Sequence, residues 1–140
     1  MKPLHLALIL PFILTSLPSL AGESAIQPQT QGNVTFVSGG VGIDERNELN
    51  ATSANYNLSL LFSVQGTGDY LSNVKVHITN LKGNTLLETV SDGPKLFAKL
   101  PSGRYIVTVE FNGETYHKTV SVSDKHNAAL SFTWSQKMEN

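Results

Sequence analysis

Ser38-Gly39-Gly40-Val41-Gly42-Ile43-Asp44-Glu45 packs three glycines into four residues and follows them with two carboxylates. A glycine-rich turn leading into a helix can wrap a phosphate in backbone N–H groups, provided a lysine neutralises the charge. No Gly-x-x-x-x-Gly-Lys-Ser/Thr run is present, and the two acids would repel a phosphate while satisfying the helix dipole themselves. The stretch is therefore expected to be a structural turn into a helix, or a loop that contacts a partner through Gly39, Gly40, Gly42, Asp44 and Glu45.

Other chemistries find less support. Asp44, Glu45 and Glu48 are spaced to share a helix face, but the Asp-x-Asp-x-Asp-Gly loop that gathers calcium oxygens is missing. They read as a solvated helix start. His77 and His117 fall on the polar phase of their strands, His126 lies in a turn, and no Glu-x-x-His or His-x-His spacing suggests zinc. No Gly-x-Ser-x-Gly elbow surrounds a serine. No catalytic residue, metal or cofactor is expected.

These residues sit in a chain of 140 with 40% hydrophobic content and a net charge of -1. Ten Lys and Arg are scattered among eleven acids, so the clustered positive charge that nucleic-acid binding requires is missing. Lys2, the apolar run Leu4 to Leu14 and the small residues of Ser19-Leu20-Ala21 form a signal-peptide pattern over residues 1–21. The run is too short, and too interrupted by Pro11 and Pro18, to span a bilayer. With no cysteine there is neither a lipid-attachment site nor a disulfide, so the core must hold the domain alone. The expectation is a periplasmic or secreted protein that is not membrane-spanning. Asn33, Asn50 and Asn57 each open an Asn-x-Ser/Thr triplet, a number that chance supplies in a chain this rich in Asn, Ser and Thr.

Residues 22–32 are polar, lack periodicity and contain Pro28, which suggests a flexible lead-in. A single sandwich domain is expected over 33–135, with a tail at 136–140. Within it, Leu58, Leu60, Phe62 and Val64 alternate with smaller or polar residues, as do Val74, Val76 and Ile78. Leu96, Ala98 and Leu100 form another such set, as do Tyr105, Val107, Val109 and Phe111, and then Leu130, Phe132 and Trp134. Asn112-Gly113 between two such runs predicts a type I′ hairpin. Asp92-Gly93-Pro94 and Pro101-Ser-Gly103 supply further turns. Asp44 to Tyr56 breaks the rhythm and predicts a short helix capped by Asp44. Leu61 and Phe97 lie opposite the core phase, to be covered by that helix or by a partner.

Thr89, Asp92, Gly93, Leu100, Pro101, Gly103 and Tyr105 occur in the order found in the carboxypeptidase regulatory-like domain, which the run from Val74 to Val122 resembles. That domain belongs to the transthyretin-like group of sandwiches, together with the collagen-adhesin B-type domains. The resemblance implies an all-β, seven- to eight-stranded Greek-key sandwich, transthyretin-like or Ig-like, with one short helix before the second strand. The wider frame of Ser38 to Gly42, Glu45, Tyr56 to Leu58 and Ser91 to Pro94 resembles small exported bacterial proteins carrying that domain. The group includes hydroxyisourate hydrolase, but its terminal Tyr-Arg-Gly-Ser signature has no counterpart in Thr133-Trp-Ser-Gln-Lys-Met-Glu-Asn140. Collagen-adhesin domains can join a Lys to an Asn. Of the candidates Lys75, Lys118, Glu88 and Asn127, only Lys118 shares an inward phase, and there it reads as the guard of an edge strand.

A fold complete in itself and carrying no catalytic constellation suggests a non-enzymatic interaction or accessory module, binding an envelope protein or a polysaccharide. The alternative is a small-ligand carrier or hydrolase using Gly39 to Glu45 with Asp92 and Gly93. Oligomeric state is not legible.

Overall fold

The computed structural model describes residues 26–136, so the signal-peptide pattern, its cleavage point and nearly all of the tail lie outside the described residues. Nine strands and one α-helix follow in the order β1 (Gln29–Gln31), β2 (Val34–Gly39), α1 (Ile43–Ala51), β3 (Leu58–Val64), β4 (Val74–Asn80), β5 (Thr85–Ser91), β6 (Lys95–Lys99), β7 (Gly103–Phe111), β8 (Glu114–Val122) and β9 (Ala128–Trp134). They form a β-sandwich. One sheet has the order β1-β2-β6-β3-β9 and the other β5-β4-β7-β8.

Alternation along the strands builds the interior. Leu58, Leu60 and Phe62 of β3, Leu96 and Ala98 of β6, and Phe132 and Trp134 of β9 face Val74, Val76 and Ile78 of β4 and Val107 and Val109 of β7, all buried. Burying one such large side chain contributes roughly 1.5–3 kcal/mol, so this layer holds the domain without disulfides. Phe62, Phe132 and Trp134 pack with ring centroids 6.2 to 6.5 Å apart. Tyr105 lies in the same core, and its hydroxyl donates to the Pro101 carbonyl at 2.5 Å. Burial raises the Tyr105 phenol above its ordinary range.

A second, smaller core lies on the other face of the five-stranded sheet. Ile26, Val37, Leu49, Tyr56 and Phe97 meet there, and α1 covers them through Leu49. Phe97, on the wrong phase for the main core, is thus housed under the helix. Leu61 is half-buried.

Four expectations are corrected. Within the lead-in 22–32, expected to be flexible, Gln29–Gln31 pairs with β2 through a turn at Gly32 and Ile26 is buried, while residues 22–25 lie outside the described residues. That additional strand places α1 before the third strand rather than the second. The helix is shorter than Asp44 to Tyr56 and is capped by Gly42, not Asp44, with no side-chain cap bond. It gives way to a 3-10 turn at Ser53–Asn55, as its Asn- and Thr-rich second half lacks helix propensity. Finally, nine strands form where seven or eight are expected, and the last of them, β9, lies parallel to β3.

The hairpin from β7 to β8 forms as expected, with Phe111 paired to Glu114 and φ of 49° and 79° at Asn112 and Gly113. Lys118 leans inward from β8, but its ammonium escapes to the rim, where it donates to the Ser131 carbonyl of β9 at 2.5 Å and sits 5.1 Å from the Phe132 ring centroid. The end of this lysine meets a carbonyl and not an asparagine, so the geometry does not suit a cross-link. Asn57, the third glycan triplet, is buried between strands.

Candidate functional site

The glycine run connects β2 to α1, and α1 grips it. The Gly40 N–H donates to Glu45 Oε1 at 2.9 Å, and Arg46 Nη1 donates to the Gly40 carbonyl at 3.2 Å. The Arg46 N–H reaches the Gly42 carbonyl at 3.1 Å, closing the first helical turn. Both polar groups of Gly40 therefore find partners within the next six residues. With φ of +99° at Gly40 and +83° at Gly42, a side chain at either position would be strained.

The Asp92-Gly93 turn lies directly against this loop. The Asp92 N–H donates to Ser38 Oγ at 3.0 Å, and Ser91 Oγ donates to the Gly93 carbonyl at 2.7 Å. A Cβ on Gly93 would lie 2.3 Å from the Gly39 carbonyl oxygen, so the two backbones are in contact. The structure thus brings together Gly39, Gly40, Glu45, Asp92 and Gly93. It leaves no space between Gly39 and Gly93 for a ligand. Asp44 and Glu48 point to solvent while Glu45 turns back to Gly40, so the three carboxylates do not converge. Among the described residues no group of three or more His, Cys, Asp or Glu could hold a metal ion. The remaining turn residues, Pro101, Gly103, Asn112 and Gly113, serve the Tyr105 hydroxyl contact and the hairpin.

The loop's exposed residues are the ones that the glycines and carboxylates flank. Val41 and Ile43 are 59% and 66% exposed, each next to residues fixed by the Glu45 and Arg46 bonds. Arg46 extends over the ring of Tyr70, its guanidinium carbon 4.9 Å from the centroid, and Tyr70 is 49% exposed. Ile43 and Arg46 are three residues apart on α1 and share a face. Val41, Ile43, Arg46 and Tyr70 were not singled out by the sequence. The available signal was a pair of β-branched apolar residues interleaved with glycines where no strand continues.

Glu45 should act here as a staple and not as a ligand. Glu45→Ala is expected to cost about 2 kcal/mol, the worth of one part-buried charge-assisted bond, and to speed amide exchange at Gly40. Glu45→Gln keeps the acceptor and should lie between. Equal exchange rates in all three proteins would contradict the stapled loop.

Hollows lie elsewhere on the surface, two of them of similar size. One of about 470 Å³ opens at an end of the sandwich, with Leu71, Phe111 and Trp134 among its walls and Glu114 at its rim. Trp134 Nε1 donates to the Glu114 carbonyl at 3.1 Å. The other, about 490 Å³, lies on the outer face of the four-stranded sheet between Lys75, His77, Glu88, Thr108 and Glu110. His77 there bonds Thr85 Oγ1 at 2.7 Å, and His117 bonds Thr108 Oγ1 at 3.0 Å. Among the described residues no helix is long and apolar enough to cross a membrane.

No protein-family model matches the chain, and no curated protein matches it. Among solved structures, 5-hydroxyisourate hydrolase of Klebsiella pneumoniae is similar at 26% identity and a TM-score of 0.43, over 56% of this chain and 83% of its own.

Proposed function

We propose that the protein is a non-enzymatic interaction module, exported by its N-terminal signal, that binds another protein of the cell envelope through the Val41–Ile43 loop. The observation that supports this is the pairing of exposure with rigidity. Two β-branched apolar side chains project from a loop whose backbone is stapled on both sides, so little conformational entropy is lost when a partner covers them. Arg46 and Tyr70 beside them are of the types enriched at the energetic centres of protein interfaces. A polysaccharide fits this patch less well, since it offers one aromatic ring already covered by a guanidinium.

A photo-reactive phenylalanine analogue at Ile43 tests the reading. It is expected to capture a discrete adduct in the native envelope, while the same analogue at Leu81, an exposed apolar residue on the β4–β5 turn, captures none. Identical behaviour at the two positions would sink it. A second reading, a small-ligand carrier, draws on the aromatic hollow beside Trp134 rather than on the glycine loop.

A further inference from the structure

Among the described residues the sandwich has four strand edges, and three of them are short or partly occupied by the chain itself. β1 is only three residues long. On β5, the Gln31 side-chain amide accepts from the Glu88 N–H at 2.7 Å and donates to the Glu88 carbonyl at 3.1 Å, standing in for one residue of an added strand. On β9, the Ser131 carbonyl is taken by Lys118. The fourth edge, β8, is nine residues long. Because Phe111 and Glu114 flank a two-residue turn, they form a hydrogen-bonded pair, and such pairs recur at every second residue of β8. The N–H and C=O groups of Thr115, His117, Thr119 and Ser121 consequently point away from β7, and all four residues are exposed.

From this edge accounting we propose that β8 takes up an extended segment of a partner protein, as an added antiparallel strand with an acidic residue opposite Lys118. Lys118 carries the only charge on the inward phase of β8 between Tyr116 and Val122, and its present neighbours, a carbonyl and a phenyl ring, are uncharged. A carboxylate brought beside it gains a charge-assisted bond where β8 and β9 approach one another. Tyr116 and Val120 flank Lys118 on the same phase, so the fitting segment reads apolar-x-acidic-x-apolar on its inward side. A second copy of this chain pairing β8 to β8 about Lys118 would set two ammonium groups opposite one another, which is unfavourable. This edge is a surface separate from the Val41–Ile43 loop, and the two readings stand or fall independently.

The test uses a peptide matching the nine residues of β8 in length, with Val, Glu and Val at its third, fifth and seventh positions and Thr elsewhere. Added to the protein in excess, it is expected to slow amide exchange at Thr115, His117, Thr119 and Ser121 by about tenfold or more. The same peptide with Lys in place of Glu should slow it far less. Thr119→Pro removes one outward donor without touching the β7 ladder, so the variant should keep its fold and lose the protection. The proposal is overturned if the Glu peptide leaves these four amides unchanged, or if the Lys peptide protects them equally. Slowing at Ala129, Ser131 and Thr133 of β9 instead, or a dimer of the protein alone with the four amides already protected, would also overturn it.

Discussion

Gly93→Ala is expected to destabilise the domain by about 3 kcal/mol, the upper end of what overpacking costs, and to lower Tm by roughly 10 °C. The new Cβ would lie 2.3 Å from the Gly39 oxygen, 2.4 Å from its carbonyl carbon and 2.8 Å from its Cα. All three are backbone atoms. Relief therefore requires separating the end of β2 from the β5–β6 turn, and both are tied down. Gly39 pairs with Lys95 in the ladder, the Asp92 N–H is bonded to Ser38 Oγ, and the Phe62 N–H is bonded to the Pro94 carbonyl. Gly39 has no side chain to trim, so no single compensating truncation exists. Gly32→Ala is the control. It has a φ of +56° and nothing within 4 Å, so it should cost only the left-handed penalty of about 1 kcal/mol. Thermal denaturation of the two variants separates steric overlap from backbone preference, and equal losses would refute the packed contact. The same experiment bears on function, because a ligand cleft between these turns would tolerate a methyl group.

How far the sequence discloses this architecture depends on whether a residue acts through periodicity or through contact. Leu58 to Val64, Val74 to Ile78 and Tyr105 to Phe111 alternate, and alternation is a local property that survives whatever the rest of the chain does. Asn112-Gly113 is equally self-contained, since its positive φ angles depend on those two residues. β1 is different. Gln29–Gln31 is wholly polar, and it becomes a strand because Val34 to Gly39 lies beside it and because Gln31 finds the Glu88 backbone, 57 residues away. The helix cap fails as an expectation for a related reason. Asp44 is a better capping type than Gly42, yet only glycine supplies the φ with which the chain leaves β2. At the candidate site, the glycines and Glu45 stand out in the sequence. Their roles do not, because Glu45 serves Gly40 and Gly39 serves Gly93, and the apolar residues they hold out to solvent, Val41 and Ile43, look like ordinary core material until the loop is seen in three dimensions.

Asn57→Ala is expected to cost about 3 kcal/mol, although it removes no apolar contact of any size. Asn57 is buried at the entry to β3, where its Nδ2 donates to the Leu100 carbonyl at 2.8 Å and its Oδ1 accepts from the Leu100 N–H at 2.9 Å. Its own backbone binds the Ala98 carbonyl at 3.1 Å and the Ala128 N–H at 3.0 Å, so one residue joins β3 to the end of β6 and the start of β9. Truncation leaves both Leu100 groups in a buried site without partners, and each orphan costs roughly 1–3 kcal/mol. Asn57→Asp distinguishes this from lost volume. An ionised carboxylate accepts from the Leu100 N–H but repels the Leu100 carbonyl, whereas the protonated acid can serve both. Burial and that carbonyl raise the folded-state pKa above the unfolded value of about 3.9. A raised pKa means stability fully present below about pH 3.9 and lost as pH rises through the folded value, so the Asp variant should approach the parent in acid and fall behind it at neutrality. Urea denaturation of both proteins across that range reads the difference. A constant gap would show that the Leu100 groups are not what Asn57 satisfies, and the join among the three strands would then have to rest on the Ala98 and Ala128 backbone bonds alone.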